Sequence, residues 1–238
     1  MDLLGIVQSL HQEAKLTGSA PTGVAGQSGR AADLVRWAIE AWNDIQRDRD
    51  GQWKWLRSDF TIDTTLDKAS YVSTVDATDV DDAALITRFR RWDLDSRQPP
   101  LIFLSADGKS TEREMFIDTW DHFRYLYVRN THTSAYPGSV TTDVIDKLFL
   151  GPTPDAVYRV SGSYWKSNQI LAVDTDTPEM PADYHFMIVY RAIVKYAYNT
   201  VSHEILARAQ AEGVAMYDAL VLNQAYSRFS FSVADALA

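Results

Sequence analysis

The sequence predicts an α+β protein, in which N-terminal and C-terminal segments form an α-helical bundle and a small antiparallel sheet or sandwich is inserted between them. Residues 28–48 and 183–222 repeat apolar side chains every three or four positions, which is the period of an amphipathic helix. Residues 59–165 instead alternate apolar and polar positions in short runs rich in β-branched and aromatic residues, which indicates strands.

These patterns divide the chain into three parts. A length of 238 residues lies between one elaborated domain and two small ones. The predicted parts are a discontinuous helical domain (1–57 and 178–225), a strand-rich inserted domain (58–177) and a C-terminal extension (226–238).

The N-terminal part is predicted to contain two helices joined by a loop. Residues 3–15 fit a short helix, and residues 17–29 hold four glycines and one proline, a composition typical of a loop. The second helix stops at Gly51, and Trp53 and Trp55 follow it at once. We expect this aromatic cluster to cover the apolar face of that helix.

The C-terminal helical pattern is too long for one ordinary globular helix. Pro178 and Pro181 precede it, and two helices are predicted, divided near Ser202 or near Gly213. The strand-rich part contains one short helix, predicted around residues 118–127. Four turn signals separate its strands, namely Asp107-Gly108, Pro137-Gly138, Gly151-Pro152 and Pro154-Asp155.

Composition excludes several functional classes. The chain has 23 Lys and Arg against 32 Asp and Glu, a net charge of −9, which disfavours a broad cationic surface for nucleic acid. It has no Cys, which rules out disulfides, thiolate metal sites and cysteine nucleophiles. We expect a protein without a signal peptide or membrane partner, because no apolar stretch approaches about 20 residues.

Two loops resemble ligand sites only superficially. The glycine-rich loop precedes a helix, but no Lys-Ser or Lys-Thr follows at P-loop spacing, so flexibility is the favoured interpretation. The aspartate cluster from Asp76 to Asp82 lacks the spacing of a calcium-binding loop, and an acidic surface loop is favoured over a cation site. The cluster consists of Asp76, Asp79, Asp81 and Asp82.

No catalytic constellation can be assembled from the sequence. His203-Glu204 is half of a zinc-protease signature without the second His. Asp118 or Asp121 with His122 is a conceivable acid–base pair, but no Gly-x-Ser-x-Gly elbow presents a nucleophile such as Ser105 or Ser110. We expect no enzymatic activity, cofactor or metal.

One basic aromatic patch is present. Alternation places Arg88 and Arg90 on one strand face, where they would meet nearby aspartates, and a protein contact is favoured over nucleic acid. The patch consists of Arg88, Phe89, Arg90, Arg91 and Trp92.

Three stretches of the chain together resemble the head-to-tail adaptor, or connector, proteins of tailed bacteriophages. They correspond to the first long helix and the entry to the strands, to a strand pair around Gly-Pro, and to the entry into the C-terminal helices. The stretches are LVRWAIEAWNDIQ (34–46) with WKWLR (53–57) and Phe60, KLFLGPTPDAVYRVSGSYW (147–165), and PEMP (178–181) with His185 and IVYRAI (188–193).

The resemblance implies a ring of about twelve copies beneath the portal, which lengthens the DNA channel and offers a platform for tail, nozzle or tail-completion proteins. It implies a virion component made in the host cytoplasm, with the portal and further copies of itself as partners and no catalytic residue. It also implies that DNA passes through the lumen without sequence-specific binding. Five aromatic positions are implied to be core: Trp37, Trp42, Trp53, Trp55 and Tyr190.

The C-terminal extension, 226–238, alternates apolar and polar residues. We expect Tyr226, Phe229 and Phe231 to dock on the portal. The alternatives are another tail or baseplate subunit of the virion, and a hydrolase or carbohydrate-binding module. That module would stack substrate on the rings of Trp92, Trp120 and Trp165.

Overall fold

A computed structural model describes residues 1–95, 98–129 and 133–224. The described residues form two compact units, one from Met1–Trp55 together with the described residues from Asn168 onward, and the other within Leu56–Ser167. The first unit is helical and the second is rich in strands, which confirms the α+β class. None of the described helices is both long and apolar enough to cross a lipid bilayer.

The described residues form six α-helices and eleven strands. The helices are α1 (Leu3–Glu13), α2 (Gly29–Arg47), α3 (Ser73–Asp76), α4 (Trp120–Phe123), α5 (Phe186–Thr200) and α6 (His203–Gln224). The strands are β1 (Arg57–Asp63), β2 (Ser70–Tyr71), β3 (Thr78–Asp79), β4 (Ala84–Leu85), β5 (Arg91–Asp93), β6 (Leu101–Leu104), β7 (Arg113–Glu114), β8 (Phe116–Ile117), β9 (Ser139–Thr142), β10 (Leu148–Gly151) and β11 (Tyr158–Trp165).

Helix α5 is the centre of the helical unit, because α1, α2 and α6 all pack on it. Asp2 caps α1 by accepting a hydrogen bond of 2.9 Å from the Gly5 amide. The apolar stripe of α2 is buried as its periodicity predicts. That stripe consists of Leu34, Trp37, Ala38, Ala41, Trp42 and Ile45.

The tryptophan cluster after α2 packs back on that helix, as predicted. The indole of Trp53 donates a 2.8 Å hydrogen bond to the Ile45 carbonyl, and its ring stacks on Trp55 at 4.7 Å between centroids. Trp37, Trp42 and Trp53 are core residues. The implied core position is wrong for Trp55 and Tyr190, which are half-buried because part of each ring remains in solvent.

The two C-terminal helices divide at Ser202, one of the two positions left open by the sequence. Val201 adopts a left-handed conformation with φ of 54°, and the Ser202 amide donates to the Ala197 carbonyl at 3.1 Å, which ends α5. Gly213 lies inside α6, where a Cβ atom would be 3.4 Å from the Cβ of Tyr190. Gly213 is therefore an interior position of α6 that faces α5, and the chain does not break there.

The strand-rich unit contains two sheets. The larger has the order β4-β3-β1-β11-β6-β7, with β5 also paired to β11, and the smaller has the order β2-β10-β9-β8. All pairs are antiparallel except β8 with β9. The core includes apolar side chains from both sheets, among them Phe60, Ile62, Ile102, Leu148, Leu150 and Val160.

The short helix predicted around residues 118–127 is present as α4 followed by a π-helical turn, Arg124–Val128. Phe123 and Tyr127 from this segment approach Gly151 so closely that a Cβ atom there would lie 2.6 Å from the Tyr127 ring. The glycine before Pro152 is thus required for aromatic packing against β10.

Candidate functional site

The aspartate cluster is a structural element around one buried carboxylate. Asp79 Oδ1 accepts hydrogen bonds from the Ser58 hydroxyl at 3.1 Å and the Asp81 amide at 2.9 Å, and Oδ2 accepts one from the Tyr164 hydroxyl. Burial opposes ionisation, yet these bonds lower the pKa of Asp79. The expectation of a wholly exposed acidic loop is wrong for Asp79, because Tyr164 holds it inside.

Asp76 has its own partners. It accepts a hydrogen bond from Lys68 Nζ at 2.5 Å and another from the Val72 amide at 2.8 Å. Within residues 1–95, 98–129 and 133–224, no three acidic or histidine side chains are arranged to hold a metal ion.

The conceivable acid–base pair of Asp118 and His122 forms. His122 Nδ1 lies 2.7 Å from the Asp118 carboxylate, with the imidazole largely exposed. The Ser110 hydroxyl instead donates to the Asp107 carbonyl at 2.9 Å, inside its own turn. His203 and Glu204 are exposed at the start of α6.

The arginine patch differs from its prediction. Residues 87–90 lie between β4 and β5 and form no strand, so Arg88 and Arg90 do not share a strand face. Arg88 donates to the Ser167 carbonyl at 2.6 Å, which ties this connection to the end of β11. Arg91 lies over the Trp165 ring, 5.9 Å from its centroid.

The tryptophans proposed as carbohydrate platforms are packing residues. Trp92 and Trp165 are buried, and Trp92 meets Phe60 edge to face at 4.5 Å between centroids. Trp120 is half-buried against Phe149, at 4.9 Å. Since sugar stacking needs an open ring face, these positions do not favour that alternative.

Helix α6 has apolar residues on two sides but packs on one. Ala209, Gly213 and Leu220 are buried toward the helical unit. Residues two positions further along lie about 200° around the helix, on the side away from that contact. Val214 is 61% exposed and Leu222 80% exposed. We call this side the α6 outer face; its apolar members are Ala207, Ala211, Ala215, Ala219 and Leu222, with Val214 at one edge, and Glu204, Arg208 and Asp218 lie among them.

A groove of about 350 Å³ lies between the glycine-rich loop and the first turns of α2. Asp174 Oδ1 accepts a 2.7 Å hydrogen bond from the Val24 amide, which anchors the loop beside it. Gly26 adopts a φ of 68°, which few other residues tolerate. We call this the α2 groove, and it is lined by the apolar residues Val24, Ala32, Val35 and Ile39, with Arg36 and Glu40 also present.

The hairpin between β9 and β10 ends in two exposed aliphatic residues. Val144 is 91% exposed and Ile145 66% exposed. Asp143 Oδ1 accepts hydrogen bonds from the amides of Ile145 at 3.0 Å and Lys147 at 2.9 Å, so the turn is ordered. We call residues 143–147 the hairpin tip. The tip was not predicted, although adjacent aliphatic residues between Asp143 and Asp146 are a signal visible in the sequence.

Tyr226, Phe229 and Phe231, the predicted portal contacts, lie outside the described residues. The described residues thus present apolar side chains on three surfaces: the α6 outer face, the α2 groove and the hairpin tip. Such surfaces on an α+β scaffold are typical of a protein that functions through contacts with other proteins.

The comparison with protein families agrees with that class. Residues 1–234 match the model of the SU10 adaptor protein family. The chain belongs to this family, a family of phage head-to-tail adaptors, as its resemblance to such adaptors indicates. The comparison with curated proteins finds no match. Membership implies a virion component that interacts with portal and tail components.

Proposed function

We propose that the protein is a structural adaptor that forms a closed ring beneath the phage portal, extends the DNA channel and carries the tail. The observation that supports self-assembly is the α6 outer face. Helix α6 exposes Val214, Leu222 and four alanines on the side that the protein's own helical unit leaves uncovered. A second copy is the partner that a ring supplies.

The adaptor family supports the portal and the tail as the two neighbours of such a ring. A ring of about twelve copies follows from the adaptor resemblance. The net charge of −9 suits a lumen that repels duplex DNA and lets it pass without adhering. Retention of DNA by assembled rings at low salt would contradict such a lumen.

The C-terminal extension, 226–238, is our proposed portal contact, with Tyr226, Phe229 and Phe231 as its anchors. Deletion of these residues should weaken binding to portal. Unchanged co-assembly of the truncated chain would contradict that role.

The hairpin tip is our proposed contact for the tail. Val144 and Ile145 stand between Asp143 and Asp146, so the complementary surface is an apolar pocket on a tail component with a basic rim. The two carboxylates disfavour an anionic lipid surface as the target.

The experiment mixes the purified chain with portal from the same phage and images the product by electron microscopy. The expected product is a ring on the portal, while a subunit of the tail or baseplate would form no such ring. Val214→Asp with Leu222→Asp should abolish the ring, because both charges fall on the α6 outer face. Ile170→Asp is the matched control, since Ile170 is 79% exposed in the same unit outside that face.

A further inference from the structure

We infer that the α6 outer face of one copy docks in the α2 groove of the next copy around the ring. This inference rests on the proposed adaptor function and deepens it by naming both halves of the contact. A ring closed by rotation uses two different surfaces of the same subunit, one on each side. The helical unit offers an apolar helix face and a separate apolar groove, which satisfies that requirement.

The two surfaces suit each other in shape. The α6 outer face is convex and built mainly from alanines, which let another backbone approach closely. Val214 and Leu222 project beyond the alanines. The α2 groove is concave, and Val24, Val35 and Ile39 provide its aliphatic lining. Burial of exposed valine and leucine side chains against such a lining stabilises a contact through the hydrophobic effect.

The charges on the two surfaces also favour this pairing. Glu204 and Asp218 lie on the α6 outer face and Glu212 lies at its edge, whereas the cation of that face, Arg208, is paired with Glu13 within its own copy. Two α6 helices packed on each other would bring these acids together, which disfavours a symmetric α6–α6 contact.

The acids near the groove, in contrast, are paired with cations of the same copy. Asp33 pairs with Arg36 at 2.8 Å, and Lys195 is shared by Asp44 at 2.8 Å and Glu40 at 3.6 Å. Arg30, exposed in the first turn of α2, adds positive charge at that end. The acidic α6 outer face therefore meets no excess of acids at this groove, and Arg30 is the cation that it can contact.

The absence of Cys from the natural chain makes a direct test possible, because engineered thiols are then the only ones present. Val35→Cys in the groove and Val214→Cys on the outer face are combined in one chain. Rings are assembled on portal, treated with a short bismaleimide crosslinker and separated on a denaturing gel. The expected result is a ladder of covalent multimers that extends to the closed ring.

Three comparisons make the result specific. Each single-Cys variant should remain monomeric on the gel, because the two thiols belong to different surfaces. Val35→Cys with Val144→Cys, which places the second thiol on the hairpin tip, should give no ladder. Ala32→Phe fills the groove and should abolish ring formation while the melting temperature stays close to that of the wild type.

The outcomes separate the two proposals. A wild-type chain that forms no ring on portal overturns the adaptor function and this inference with it. Wild-type rings together with double-Cys rings that give no ladder overturn the inference alone. Covalent dimers of the Val214→Cys variant alone also overturn it, since they would show that α6 meets α6.

Discussion

The indole N–H of Trp92 donates a 2.7 Å hydrogen bond to the main-chain carbonyl of Asp146, which fastens the hairpin tip to the core of the strand-rich unit. The Trp92 ring is buried and lies against Phe60 and Phe89, at centroid distances of 4.5 and 4.8 Å. Asp146 adopts a left-handed conformation with φ of 59°. A tip held in this way loses little conformational freedom when a partner binds.

Trp92→Phe tests this fastening, because it keeps an aromatic ring and removes the indole donor. The free energy of unfolding should fall by about 1 kcal/mol for the lost hydrogen bond, and by more where the smaller ring leaves a gap. Hydrogen exchange at the amides of Ile145 and Lys147 should accelerate more than elsewhere in the unit. Trp120→Phe is the control, and equal exchange at the tip in both variants would contradict the fastening.

Val144→Ser with Ile145→Ser tests the tip as the tail contact. Both side chains are exposed, so the melting temperature should change little. Rings should still form on portal, whereas retention of the tail protein from the same phage in co-sedimentation should drop at least tenfold. Val75→Ser, at an exposed position of the same unit, is the control. Full retention of the tail protein by the double variant would exclude the tip as its contact.

The sequence predicted the elements whose packing is local. The stripe from Leu34 to Ile45 defined α2 because an amphipathic period needs no distant partner. The prediction that Arg88 and Arg90 share a strand face was wrong because Arg88 is positioned by the Ser167 carbonyl, 79 residues away. The prediction of a surface position for Asp79 was wrong for the same reason, since its hydrogen-bond donor Tyr164 is 85 residues away. Long-range hydrogen bonds leave no periodic signature, which is why these features required the structure.

Asp79→Asn tests the buried carboxylate through the pH dependence of stability. Burial and the Asp79 carboxylate raise the pKa of Tyr164, so its hydroxyl stays a donor at neutral pH. An asparagine at position 79 loses one acceptor in this network, and at pH 7 the free energy of unfolding should fall by about 1–3 kcal/mol.

The folded pKa of Asp79 lies below its ordinary value of 3.8, so the folded state binds fewer protons there than the unfolded state does. Its stabilisation is therefore complete above about pH 4 and is lost as the pH falls through the folded pKa. Urea unfolding should show a wild-type advantage at pH 7 that shrinks below pH 3.8. Asp82→Asn is the control, and an advantage independent of pH would contradict the role of the charge.

Trp37→Ala tests the core position of α2. Trp37 is buried and meets Tyr196 of α5 edge to face, with 5.9 Å between ring centroids. Removal of the indole should lower the free energy of unfolding by about 3–5 kcal/mol, since a cavity remains where the ring was. Urea denaturation measures the change. Trp37→Phe should recover part of the loss, and a loss below 1 kcal/mol for the alanine variant would place Trp37 outside the core.

Gly213 lies where α6 packs on α5. The size of the residue at this position should decide whether a substitution raises or lowers the free energy of unfolding. A Cβ atom at this position lies 3.4 Å from Tyr190 Cβ, so Gly213→Ala fits with little adjustment and should stabilise the protein by about 0.5–1 kcal/mol through helix propensity. Gly213→Leu cannot fit without moving α6, which would also disturb the contact between Tyr217 and Trp53 at 6.2 Å. It should lower the free energy of unfolding by about 1–3 kcal/mol.

Ala211→Leu separates packing within the copy from contacts between copies. Ala211 lies on the α6 outer face, so the larger side chain should change the free energy of unfolding by less than about 0.5 kcal/mol. The same substitution should interfere with ring formation on portal, because an alanine there allows close approach of the neighbouring copy. A stabilised Gly213→Leu variant, or an Ala211→Leu variant that unfolds as readily as Gly213→Leu, would show that the two faces of α6 have been assigned the wrong way round.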